Sequence, residues 1–126
     1  MADQPKAVLM NGETMQRSLT RMAHEIIERD EPLSDAGRPY AKDADWMLHE
    51  AFCLFSQADI FDPYEKHHST VKDACELAQE LGVRNLLLYH TEDRNIARRK
   101  ELYAAEGQPY FGGTLWVPDD LESIEL

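Results

Sequence analysis

Histidine and carboxylate side chains gather in three short stretches of this chain: "WMLHEAF" (46–52), "YEKHHST" (64–70) and "LLLYH" (86–90). An imidazole titrates near neutrality, so it can shuttle a proton or ligate zinc. A carboxylate can orient such a ring or take its proton. His49, Glu50, His68 and His90 therefore define the chemistry to look for. The bland alternative is that each histidine at a strand end is a structural residue with its hydrogen bonds satisfied. No HxH, HxxxH or HExxH spacing occurs, and zinc catalysis needs about three protein ligands plus a water. Ser69 adjoins His68, but adjacent side chains seldom face each other, and no GxSxG elbow, P-loop or GxGxxG is present. His24, beside Glu25 and Glu28, reads as a surface or core-edge residue.

The elements that must position these groups follow from hydrophobic period and turn chemistry. "KAVLM" (6–10) reads as a short strand, and Asn11 caps a helix running to about Arg29. Met15, Leu19, Met22 and Ile26 give that helix one apolar face. "DEPLSDAGRP" (30–39) is a loop, "PYAKDA" a helical turn, and "DWMLHEAF" (45–52) a buried strand. A long polar loop, 56–68, leads to Thr70, which pairs with Asp73 as a capping box for the helix "TVKDACELAQELG". Gly82 supplies its stop. "VRNLLLYH" (83–90) is a second buried strand, a helix covers roughly 93–106, "FGGT" is a turn, and "TLWVP" and "ESIEL" are closing strands. Strand–helix–strand alternation predicts an α/β fold whose first strands are parallel. His49-Glu50 and His90 then fall at carboxyl ends of strands, where α/β sheets gather ligands, and His68 precedes a helix N-terminus.

The 126 residues suit one domain, 1–126, and 43% hydrophobic residues suit a globular core. No apolar run approaches the roughly 18 residues that cross a bilayer, and "MADQPK" shows no apolar signal region. A cytoplasmic, non-membrane protein is expected. Cys53 and Cys75 form no CxxC, and Cys75 reads as a small core residue. A net charge of −11 disfavours nucleic acid as partner. The basic stretch "RNIARRK" (94–100) reads as a solvated helix face.

Taken in order, "HEAF", "HHST" and "LLLYH" resemble the HEAT motif, the HST motif and the last ligand-bearing strand of metallo-β-lactamase-fold hydrolases of the ribonuclease-Z-like group. "DEPLSDAGRPYAKDADW" resembles the segment after that group's metal-bridging aspartate, so the resemblance spans residues 30–126, the C-terminal half of the fold. It implies cleavage of phosphodiesters with two zinc ions, with Asp30 bridging the metals and His90 the terminal ligand. Glu50 and His68 would be the proton-relay pair. The group's HxHxDH motif does not occur in this chain. "KAVLMNGETMQRSLTRMAHEIIER" (6–29) instead resembles the N-terminus of the bifunctional pyrimidine-operon regulator and uracil phosphoribosyltransferase, which makes the chain a chimera joined near Arg29/Asp30.

The expected architecture is half of a metallo-β-lactamase-type αββα sandwich, a small mixed sheet with the long N-terminal amphipathic helix packed on it. The leading functional expectation is a folded half-domain of hydrolase ancestry, without independent catalysis, that self-associates as a homo-oligomer. Its zinc site would be incomplete. One alternative is a metal-dependent hydrolase completed across a homodimer or by a partner chain. Another is an anion- or RNA-binding module built on Arg98, Arg99 and Lys100.

Overall fold

The computed structural model describes residues 37–125. The expected N-terminal strand and helix, the "chimeric" segment 6–29 and Asp30 all lie outside the described residues. All the described residues belong to one compact unit, Leu33–Leu126.

Three strands, β1 (Trp46–Glu50), β2 (Asn85–Tyr89) and β3 (Thr114–Trp116), form one sheet in the order β1-β2-β3. Both pairings are parallel, so among the described residues the sheet is not mixed as expected. The parallel arrangement follows from helical connections between successive strands. Among the described residues the α-helices are α1 (Arg38–Ala41), α2 (Ala58–Phe61), α3 (Val71–Leu81) and α4 (Arg99–Gly107). The expected closing strand "ESIEL" is absent: residues 122–125 pair with nothing as a strand.

Helix α3 forms where the capping box predicts it. The Thr70 hydroxyl accepts from the Asp73 N–H at 3.3 Å, and the Asp73 carboxylate accepts from the Thr70 N–H at 2.8 Å. Gly82 ends the helix with φ +70°, a conformation that suits glycine. The apolar stripe Val71, Ala74, Cys75, Ala78 and Leu81 is buried against Leu86 and Leu88 of β2 and Tyr103 of α4. Helix α4 approaches closely because Gly107 lacks a side chain; a Cβ there would lie 2.8 Å from Cys75 Sγ and 2.9 Å from Leu115.

Burial alternates along β2, with Leu86 and Leu88 buried and Leu87 between them only half-buried. The strand β2, read as buried, is thus buried on one face only. On β1 the correction is larger: Leu48 is 63% exposed. The register puts Leu48 beside Leu87 and Trp116, on the face opposite the helices.

The stretch 56–68 is not a plain loop. A 3₁₀ turn (Phe55–Gln57), α2 and a second 3₁₀ turn (Tyr64–Lys66) fill it. The basic stretch also differs from expectation. Arg99 is buried, with its guanidinium donating to Thr91 Oγ1 at 2.8 Å and to the Pro118 carbonyl at 2.9 Å. Arg98 pairs with Glu101, and Lys100 with Asp119 and Glu122. Arg99 and Lys100 thus hold α4 to the C-terminal segment.

Candidate metal and acid–base site

The carboxyl end of β1 is pinned on two sides. The Ala51 N–H donates to the Tyr89 carbonyl at 3.0 Å, and the Phe52 N–H to the Ser69 carbonyl at 2.8 Å. The Phe52 carbonyl accepts from the Glu92 N–H at 2.7 Å and from the Tyr103 hydroxyl at 3.1 Å. Cys53 and Thr70 continue the contact as a parallel bridge. The segment after β1 therefore lies between the start of α3 and the end of β2, which brings the three histidine-bearing stretches together.

Glu50 is the centre of what meets there. Its Oε2 lies 3.0 Å from His68 Nδ1 and 3.0 Å from His90 Nδ1, and its Oε1 accepts from the Ser69 N–H at 3.0 Å. The two rings meet edge to face at 5.0 Å between centroids. Glu50, His68 and His90 offer ligand atoms within 4.8 Å of one another. Burial pushes the Glu50 carboxyl up, but hydrogen bonds from His90, the Ser69 N–H and His68, with the His68 charge, outweigh it. The net effect holds Glu50 below the usual carboxylate range, so it stays ionised.

An ionised carboxylate only accepts, so each Nδ1 carries a proton. In its neutral form each ring then presents its lone pair on Nε2, away from Glu50. That is the arrangement in which a carboxylate orients metal-ligating imidazoles. Two imidazole nitrogens oriented this way fit zinc in donor type.

Backbone geometry explains how His90 reaches Glu50. Register pairs Glu50 with Tyr89, so a continued strand would send the next side chain to the other face. His90 instead adopts φ +53°, a left-handed conformation uncommon outside glycine, and its ring turns back over Glu50. His67 is also left-handed, at φ +58°, which ends the second 3₁₀ turn just before His68. The His68 N–H is then held by the Pro63 carbonyl at 2.8 Å.

Of the residues singled out from sequence, Glu50, His68 and His90 converge. His49 does not: it alternates to the opposite side of β1 from Glu50, level with Leu88, and its Nδ1 lies 2.7 Å from the Glu50 backbone carbonyl. His67 is exposed and outside the cluster. Two contributors were not anticipated. The Ser69 N–H binds Glu50, and the Phe52 ring stacks on His68 at 4.8 Å with 27° between planes. Phe52 follows Glu50 by two residues, as an aromatic beside a charged group at a strand end, and that proximity was the available signal.

The chain is similar over part of its length to known proteins. The chain is 35% identical over 79 residues to a ribonuclease Z from Ligilactobacillus salivarius, covering 63% of this chain and 24% of that protein. It is 34% identical over 101 residues to ribonuclease Z of Gemmatimonas aurantiaca, covering 80% and 31%. The match to ribonuclease Z of Shouchella clausii, 30% over 118 residues, covers 94% and 36%. The chain thus spans roughly a quarter to a third of the length of these relatives. A match of 118 residues is longer than the whole stretch 30–126, so this similarity crosses the junction expected at Arg29/Asp30. The metallo-β-lactamase fold protein YhfI of Bacillus subtilis superposes with a TM-score of 0.56 at 22% identity, covering 68% of this chain and 33% of that one. The described residues therefore adopt part of a metallo-β-lactamase fold. No protein-family model matches the chain.

Proposed function

We propose that residues 37–125 carry the acid–base pair and one imidazole ligand of a metal-dependent phosphodiester hydrolase centre. One observation carries this reading: a single ionised carboxylate oxygen, at the carboxyl end of β1, accepts from two imidazoles, His90 just past the adjacent parallel strand β2 and His68 just before helix α3. The similarity to ribonuclease Z supplies the reaction class.

The roles divide by environment. His90, whose side chain is half exposed, would hold a zinc ion through Nε2. His68 is 27% exposed and stacked on Phe52, and handles the proton. With Glu50 holding Nδ1–H, protonated His68 donates from Nε2 to a leaving oxygen, and Glu50 stabilises the imidazolium beforehand. Bound zinc would lower the pKa of a water and polarise the phosphodiester.

The cluster offers one carboxylate and two imidazoles among the described residues, short of the donors a two-zinc centre takes. Further donors must come from a segment outside residues 37–125 or from another chain, and these residues alone do not turn over substrate. The test is zinc-dependent cleavage of bis(p-nitrophenyl) phosphate by the 126-residue chain. No rate above that of free zinc is expected. Turnover that disappears in His90→Ala would show the chain to be a complete enzyme and overturn the incomplete-centre reading.

A further inference from the structure

We infer that Phe52 is a positioning residue for both imidazoles of this site. The inference rests on the reading of Glu50, His68 and His90 as a metal and acid–base cluster. A single Nδ1–H···O bond fixes where an imidazole is attached but leaves its plane free to swing about that bond. Both rings hang from the same oxygen of Glu50, and neither is fully enclosed. Something else has to set their planes, and hence the direction of each Nε2.

The Phe52 ring supplies that constraint. It stacks on His68 at 4.8 Å and 27°, and lies 6.0 Å from His90 at 43°. These separations lie in the range where aromatic pairs attract. Phe52 is itself braced. Phe61, at the end of α2, meets it edge to face at 6.1 Å, and Lys66 Nζ sits 5.9 Å from its centroid. Its backbone is held by three hydrogen bonds, which anchors the base of the plate. An apolar plate also keeps water from the Glu50–His68 bond and strengthens it. The 3₁₀ turns and α2 between residues 55 and 66 thus have a use: they deliver Phe61 and Lys66 to Phe52.

The decisive measurement is nitrogen-15 NMR of the metal-free chain, following the Nδ1–H protons of His68 and His90. In wild type both are expected as slowly exchanging, hydrogen-bonded resonances. Phe52→Leu keeps apolar bulk but removes the plate, and should broaden or erase them while the amide spectrum stays dispersed. Phe52→Tyr should restore them. If Phe52→Leu unfolds segment 50–53, Phe52→Met offers a second unringed side chain. A zinc titration adds a second readout, with affinity about 10-fold weaker in Phe52→Leu, in the range for losing an outer partner of a metal ligand. Unchanged Nδ1–H resonances in a folded Phe52→Leu protein would overturn the inference. A wild-type chain that ignores zinc but shows Phe52-dependent Nδ1–H resonances would instead remove the metal reading and leave Phe52 as the plate.

Discussion

At the scale of the residue, the site depends on a backbone conformation as much as on side-chain type. His90 pays for its position with φ +53°. Glycine takes that conformation freely, whereas alanine bears the same Cβ penalty as histidine. His90→Gly should therefore be about 1 kcal/mol more stable to urea than His90→Ala. Equal stabilities would mean the left-handed conformation is not retained once the imidazole is gone. The meeting of Glu50, His68 and His90 was legible because two fall at the ends of parallel strands and one before a helix start, which an α/β fold brings to one rim. His49 was legible as a type but not as a direction. Only the alternation of β1 and its register with Leu88 exclude it. Arg99 was misjudged from its charged neighbours, since charge runs carry no sign of which member turns inward. Here Thr91 and Pro118, 8 and 19 residues away, provide the acceptors that make its burial tolerable.

At the scale of the element, helix α3 was read correctly because its signals are local: a capping box, an apolar stripe and a glycine stop. Thr70→Ala should cost about 1 kcal/mol by loss of the cap. The loss should also reach Glu50, because Thr70 adjoins Ser69, whose N–H binds that carboxylate. Urea melts of Thr70→Ala against wild type test the first effect. The α3–α4 contact is set by Gly107, where an added Cβ would press on Cys75 and Leu115. Gly107→Ala should destabilise by about 1–3 kcal/mol as overpacking, despite alanine's better helix propensity. A gain in stability would show that α4 shifts without cost. The elements that sequence missed fail for the opposite reason. The turns and α2 within 55–66 span three or four residues each, too short for a periodic signal. "ESIEL" alternates like a strand, but alternation does not supply a neighbouring edge to pair with.

At the scale of the molecule, the described residues form a small parallel sheet covered by α3 and α4 on one face. Among them, Leu48 and Leu87 sit on the other face with the tilted pair Trp46 and Trp116, 5.5 Å between ring centroids. The core under the helices holds two thiols, both pushed up by burial, Cys53 to about 11 and Cys75 to about 12. A thiol raised in the folded state favours the unfolded chain once pH exceeds its ordinary value. Stability should thus fall as pH rises from 9.0 toward about 12, and Cys75→Ala should flatten that fall. Denaturant melts across this range, compared between the two proteins, check it. The sheet's parallel sense was legible from strand–helix alternation, while the expected mixed character is not found among the described residues, where "ESIEL" forms no strand.

The central claim is that Glu50 orients His90 toward a metal ion and His68 toward a proton, and a zinc titration followed by histidine nitrogen-15 NMR tests it most directly. Saturable shifts at His90 Nε2, with Nδ1 still protonated on both rings, are the expected result. Imidazole resonances that stay unmoved in excess zinc, or shifts that arise at His24, His49 or His67 instead, would contradict it.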